Sequence, residues 1–440
     1  MTTSAEGLIE VLRATAAGFG GYDDLEACAV ERQETRLQLR GEKVRESSIV
    51  GRIMLSVSMR RGSKRVRIVG SSAASADIRD LLLRAHSVLR ESEDLPPILD
   101  RRYASEASEH MPAYDETYGS IPHEEKVGRL MNFVGHVKKA RPDAFVSAAD
   151  FMERRDRRWV WATSLPRPLL AASTLFGLEA SVRAPSGTDF QRVGDFVEES
   201  HYYDTDWSGF GRNLGLLLAK LKDAAPMLAG GEYPALLSPV VAAQLMRELK
   251  GVFRGDTSPL KPGEPVGSGR LNIYDDPLIQ KRVGSRLFDD EGTPTERLDL
   301  VKEGIFLNPI HTVETAAWAG AASSGHGLVD FSTGRIDSRL HNLQLEPGAK
   351  DPVDLARDLG RGIQILAWVP LAKPEWAKPC LARISGCHLD RGEPKEAFRD
   401  VLVEWNPRDL MHDIEAVGRD LTWRGRVGSP SVVLRRLKVL

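Results

Sequence analysis

The chain has 440 residues, 42% apolar and 28% charged, with 60 Lys and Arg against 62 Asp and Glu, a formal net charge of -2. This length exceeds one ordinary hydrophobic core, so two or three domains are expected. The near-neutral balance gives no support to a nucleic-acid footprint, and no apolar run approaches the ~18 residues that span a bilayer. Cys28, Cys380 and Cys387 are too sparse for a disulfide scaffold and argue for a reducing compartment. The N-terminus lacks the basic region of a signal peptide, so cytoplasmic residence is the expectation.

Leu8, Ile9 and Leu12 share one face of a helix predicted over 5–17. Residues 34–70 read as strands: Ile53, Leu55, Val57 and Met59 alternate with polar neighbours, Arg61-Gly62-Ser63 turns the chain, and Val66 and Ile68 resume the alternation. Helical spacing returns over 76–92 at Ile78, Leu81, Leu82, Ala85 and Leu89. Strands followed by helices indicate an α+β domain over 1–95. Residues 96–120 lose periodicity and read as a linker.

A central domain, 121–230, opens with a helix from Pro122 to about Arg141. Segments 146–151 and 159–164 read as strands joined across 153–158, and a second helix is predicted over 213–222. The basic clusters at 60–67 and 154–158 then fall at tight turns and read as solvated hairpins. Gly230-Gly231 precedes a third region, 231–440. There Ser238-Pro239 starts a helix whose buried stripe is Val241, Leu245, Leu249 and Phe253. The remainder is rich in Gly, Pro, Ser and Asp. The fold class is therefore α+β: N-terminal and central mixed regions with antiparallel sheet, then a loop-rich, mostly β C-terminal domain.

Few constellations carry chemistry. His123-Glu124 has no second His at zinc-protease spacing, and a helix start with Glu124 and Glu125 complementing the dipole accounts for it better. Cys380 and Cys387-His388 lack a second ligand cluster and read as buried cysteines. The glycines between Gly209 and Gly215 imitate a dinucleotide loop, but no βαβ unit surrounds them. P-loop and nucleophile-elbow motifs are absent. Ser324 and His326 would need spatial adjacency to act as a nucleophile and base. Asp289, Asp290 and Glu291 offer oxygens to Ca²⁺ or Mg²⁺ without EF-hand spacing, so a turn whose carboxylates cap backbone N–H groups is preferred.

Several motifs then occur in one order. They are the segment 238–256, Gly263-Glu264-Pro265-Val266, Asp275-Asp276-Pro277, Gly284-Ser285, the run from Phe288 to Thr295, Ser332-Thr333-Gly334, Glu346-Pro347-Gly348 and Gly428-Ser429-Pro430. This set resembles the TldD/PmbA family, also called TldD/TldE or "modulator of DNA gyrase". The resemblance is specific over 231–440 and weaker over 20–230. It implies that TldD-type subunits carry HExxxH on the helix corresponding to 239–253, with a later Cys as third zinc ligand. Carried over, Met246 stands at the first His, Arg247 at the Glu and Gly251 at the second His. No His or Cys lies between Gln244 and Asp256, and no Cys follows Cys387.

The resemblance thus implies a PmbA/TldE-like, metal-free pseudo-protease subunit with no catalytic residues of its own. It would pair with a zinc-bearing TldD-type homologue, or with itself, and help wall a channel for unfolded or leader peptides. Zinc is expected only in that partner; no other cofactor, nucleic acid or membrane is expected. Loops 256–295 and 320–348 are the expected partner or peptide contacts, with Asp275, Asp276, Asp289, Asp290, Glu291, Ser324 and His326. The alternatives are a stand-alone hydrolase using Ser324 with His326 or a metal at 289–291, and a homodimeric peptide-binding scaffold.

Overall fold

The computed structural model describes residues 4–41, 43–70, 75–105, 112–186, 189–225 and 227–440. Helix α1 (Ala5–Ala17) begins where the Ser4 hydroxyl accepts from Gly7 N at 3.1 Å, and it buries Leu8, Ile9 and Leu12. Strands β1 (Asp24–Arg40), β2 (Lys43–Arg61) and β3 (Lys64–Gly70) follow, then helices α2 (Ser75–Leu89) and α3 (His123–Ala140). Next come β4 (Phe145–Ala162), β5 (Leu169–Ser186), β6 (Asp189–Glu199) and α4 (Trp207–Lys220). The six strands form one antiparallel sheet in the order β3-β2-β1-β4-β5-β6.

That order corrects the division into separate 1–95 and 121–230 domains, because β1 and β4 pair along almost their whole length. Side chains alternate across the sheet. Leu25, Ala27 and Ala29 pack on α1 and α2, and Leu37 and Leu39 on α3 and α4, so both helical pairs cover one face. On the opposite face Cys28 and Val30 meet Phe288 and Val329 of the C-terminal region.

The 154–158 run is a second correction. It lies inside β4, a single continuous strand, and not in a turn. Strands β1 and β5 flank it and supply its ladder hydrogen bonds. Its buried acid is paired, since Arg32 on β1 donates to Asp156 at 2.7 Å, and just before the run Lys126 on α3 donates to Glu153 at 2.8 Å. The 60–67 run does form a hairpin, but Arg65 and Arg67 are directed into an ion network and not into solvent.

Helix α4 starts at Trp207, earlier than expected, because Asp206 caps Gly209 N at 2.8 Å. The glycine run is thus helical. A Cβ at Gly211 would stand 2.5 Å from the Phe133 carbonyl, and one at Gly215 2.7 Å from that of Val137. These glycines let α4 lie against α3; they do not cradle a phosphate.

The expected linker includes residues 106–111, which lie outside the described residues. Its other parts are pinned: Ala104 N donates to Gly292 O at 2.9 Å and Thr174 N to Ala113 O at 2.9 Å.

The C-terminal region opens with β7 (Gly231–Leu237) and α5 (Pro239–Glu248), which continues as the 3-10 turn Leu249–Phe253. Short strands β8 (Ile273–Asp275), β9 (Leu298–Lys302) and β10 (Ile305–Phe306) precede α6 (Val313–Ala319), and β11 (Gly327–Asp330) pairs with β12 (Arg335–Ser338). Then come β13 (Leu343–Leu345), α7 (Pro352–Leu359), β14 (Gly362–Pro370), β15 (Cys380–Asp390), β16 (Glu393–Trp405), α8 (Pro407–His412), β17 (Ile414–Val417), β18 (Thr422–Arg424), β19 (Val427–Ser429) and β20 (Val432–Val439). Two six-stranded sheets result, β10-β9-β8-β13-β19-β18 and β16-β15-β14-β7-β20-β17. They close on one core with the predicted stripe Val241, Leu245, Leu249 and Phe253 at its centre, beside Phe306, Trp368 and Trp405. Cys28, Cys380 and Cys387 are buried free thiols. The chain is α+β, as expected.

Candidate functional site

The acidic run folds as a turn that commits its carboxylates to the backbone. Asp289 Oδ1 accepts from Glu291 N and Thr293 N, both at 2.9 Å, and Oδ2 accepts from Gly327 N at 2.8 Å. Asp290 Oδ2 accepts from Val329 N at 3.0 Å, while Oδ1 lies 3.1 Å from Arg286 and 3.2 Å from Arg158. Glu291 Oε2 accepts from Val313 N at 2.7 Å, and Oε1 lies 3.4 and 3.5 Å from Arg65 and Arg67. All three residues are buried and each oxygen is engaged, so the run is not free to ligate a hard cation. Burial and the neighbouring Glu291 push Asp289 up to about 8, against the three N–H donors that favour its ionised form.

Ser324 and His326 do come together. Ser324 Oγ lies 3.0 Å from His326 Nδ1, and His326 Nε2 lies 3.1 Å from Asp275 Oδ2. The spacing imitates a Ser–His–Asp relay, but the bonding pattern does not support one. His326 Nδ1 is nearer to the Ser324 carbonyl, at 2.7 Å, so that nitrogen donates and has no lone pair for the hydroxyl proton. Ser324 Oγ itself accepts from His311 N at 2.7 Å. His326 and Asp275 are fully buried.

Asp275 also accepts from His341 N at 3.0 Å through both oxygens, and His341 Nε2 meets the Gly325 carbonyl at 2.8 Å. Among the described residues, Asp275, His326 and His341 are the one group that brings three potential metal-ligand atoms within 4.8 Å of one another. Burial, reinforced by His326, holds His341 well below the usual imidazole range, and its Nδ1 has no partner. The group ties the 275 turn to the 324–342 loop. Asp276 makes a local turn by accepting from Leu278 N at 2.9 Å.

Of Asp275, Asp276, Asp289, Asp290, Glu291, Ser324 and His326, Asp290 alone lines a large concavity among the described residues. That is a cavity of about 1240 Å³ between the bare face of the N-terminal sheet and the C-terminal region. Helix α5 and its 3-10 extension form one wall through Arg247, Glu248, Lys250 and Gly251. Met246 turns the other way and packs in the core at 3% exposure. The Arg247 guanidinium covers the Phe196 ring, 4.2 Å from its centroid, and donates to the Arg424 carbonyl at 3.0 Å. A Cβ on Gly251 would meet open space.

The same cavity is lined by Arg32, Arg154, Asp156 and Arg158 from β1 and β4, and by Arg286, Asp290 and Arg426. Chain reading missed these arginines. The available signal was the alternation in Arg154-Arg155-Asp156-Arg157-Arg158, which puts 154, 156 and 158 on one strand face between two apolar runs.

Residues 230–440 match the family model of the PmbA/TldA metallopeptidase C-terminal domain. Residues 230–440 are thus a C-terminal domain of the PmbA/TldD family. The metalloprotease PmbA of Escherichia coli is 23% identical over 213 residues, 47% of this chain and 45% of that protein. A metalloprotease of Methanocaldococcus jannaschii is 24% identical over 253 residues, 55% of this chain and 53% of that protein. The chain thus matches about half the length of these relatives. TldE from Thermococcus kodakarensis superposes with a TM-score of 0.81 at 16% identity, covering 98% of this chain and 99% of that one. A Thermotoga maritima protein whose name ties it to modulation of a DNA gyrase superposes with a TM-score of 0.87 at 20% identity, covering 99% and 100%. At such identities the likeness is one of fold. The PmbA/TldD family is metalloprotease-related, and no described helix of this chain is long and apolar enough to cross a membrane.

Proposed function

We propose that this chain is a TldE-like subunit without zinc chemistry of its own. It pairs with a zinc-bearing TldD-type homologue in the cytoplasm and shapes the chamber in which unfolded or leader peptides are cut. The observation that carries the reading is the composition of the cavity beside α5. Where the family resemblance puts HExxxH, Arg247 and Gly251 reach the cavity and Met246 does not. A guanidinium is a permanent cation and offers no lone pair, and glycine offers no ligand atom. The rest of the cavity lining adds further arginines, so a divalent cation there would enter a repulsive field. Asp275, Asp276, Asp289, Glu291, Ser324 and His326 serve the loop framework behind the chamber wall, and Asp290 serves the wall itself.

The test is peptide hydrolysis by the purified chain, by a TldD-type homologue and by both together, each with and without chelator, with zinc counted per chain. Turnover that requires the homologue, with zinc bound through it, supports the reading. Robust hydrolysis by this chain alone overturns it. A stable complex of two copies with no affinity for the homologue favours the scaffold alternative.

A further inference from the structure

Four guanidinium groups on the cavity wall share two carboxylates, and a fifth, that of Arg426, stands beside them. Arg32 grips Asp156 with two bonds of 2.7 and 2.9 Å. Arg154 and Arg158 reach the same carboxylate at 3.7 and 3.3 Å. Arg158 and Arg286 converge on Asp290 at 3.2 and 3.1 Å. Among the described residues, Arg426 makes no ion pair, and its guanidinium no hydrogen bond. Burial, then repulsion from Arg286, Arg154 and Arg158, brings Arg426 down to about 10, against the pull of Glu198. Arg154 and Arg286 are lowered as well, first by burial.

Such a cluster is costly. Each cation withdrawn from water needs a counter-charge, and an unmatched one destabilises the fold. Arginines held in a cleft with too few acids form a preset receptor for planar oxyanions, which their paired N–H groups grip in bidentate fashion. Low-dielectric walls also focus the field and speed the arrival of anions.

We infer that the wall formed by Arg154, Arg158, Arg286 and Arg426 is a carboxylate-binding subsite, and that it selects acidic peptide segments for the chamber. The oxyanion chemistry stands on the cluster alone; the peptide as its bearer rests on the proposed function above. The site lines the same cavity as Arg247 and Gly251, so a peptide anchored there shares the chamber with that face of α5.

The experiment is binding, not hydrolysis, on the full chain. Fluorescence anisotropy compares a labelled unfolded peptide rich in Asp and Glu with its Asn and Gln twin, at low and physiological salt, with inorganic phosphate as competitor. The acidic peptide should bind at least ~10-fold tighter than its twin, weaken with salt, and lose about 10-fold with Arg426→Gln. That substitution should leave the Tm unchanged or raise it by about 2–4 °C, because it removes an unpaired, partly buried cation. A merely structural arginine would lower the Tm instead. Equal affinity for the two peptides overturns the inference. Tight phosphate binding without peptide binding keeps the oxyanion site and overturns the peptide assignment. Because no turnover is read, failure of the subunit proposal leaves this outcome distinct.

Discussion

Arg158, in the C-terminal part of β4, stands 3.2 Å from the carboxylate of Asp290 in the acidic turn. The contact joins the N-terminal sheet to the C-terminal region at the wall of the cavity, and Arg286 shares the same oxygen at 3.1 Å. Asp290 is 3% exposed, so the charges are poorly screened.

Asp290→Asn keeps the shape that accepts from Val329 N but takes the carboxylate from Arg286 and leaves Arg158 with Asp156 alone, at 3.3 Å. The expected loss is about 3 kcal/mol, the range for removing one partner of a buried pair. Urea unfolding measures it; a change below ~1 kcal/mol would mean that water already screens the pair.

Glu26 on β1 carries a pH dependence. Arg65 and Arg101 each reach it at 2.8 Å, and Tyr103 donates to it at 2.8 Å. Burial alone would raise its carboxyl, but Arg101, Arg65 and Arg67 outweigh that and bring it from 4.5 to about 2. A depressed acid contributes stability that is present above the unfolded value and lost as pH falls through the folded one. The contribution is about 3 kcal/mol, lost between pH 4.5 and 2. Denaturation midpoints against pH should show this limb in the native chain and a flatter one in Glu26→Gln.

Ser324→Ala separates a clamp from a nucleophile. The hydroxyl accepts from His311 N, so its loss should cost about 1 kcal/mol. Peptide turnover by the assembled complex should not change. A fall of 100-fold with the Tm intact would instead make Ser324 catalytic.

Gly284 has a steric role. A Cβ there would run into the His341 backbone carbonyl, which no side-chain motion can relieve. Its N–H also donates to Asn342 Oδ1 at 3.1 Å. Gly284→Ala should lose about 3 kcal/mol in thermal unfolding; a wild-type Tm would show that the 284 and 341 backbones separate at little cost.

What could be read from the chain depended on how local the cause was. Leu8, Ile9 and Leu12 mark α1 because their spacing alone selects a buried face, and Ile53 to Met59 mark β2 by alternation. The three-residue strands β8 and β13 are too short to show a period. The charged centre of β4 reads as a turn until its partners are known, and Arg32 lies 124 positions from Asp156. The same applies to the candidate site. Asp290 and the altered α5 positions are visible as motifs, whereas the wall gathers Arg32, Arg158, Arg286 and Arg426 from distant elements, and no spacing rule links them.

Strand β7 lies between β14, its parallel neighbour, and β20, its antiparallel one. Val439 pairs back to Gly231, so that edge of β7 stays open until some two hundred further residues have left the ribosome. At ~5–20 residues per second that wait lasts about 10–40 s, during which the apolar Ala235, Leu236 and Leu237 have no β20 to cover them. The region holding the α5 wall is therefore a late-folding unit, and the interval before β20 emerges is when a chaperone has most to gain by binding it.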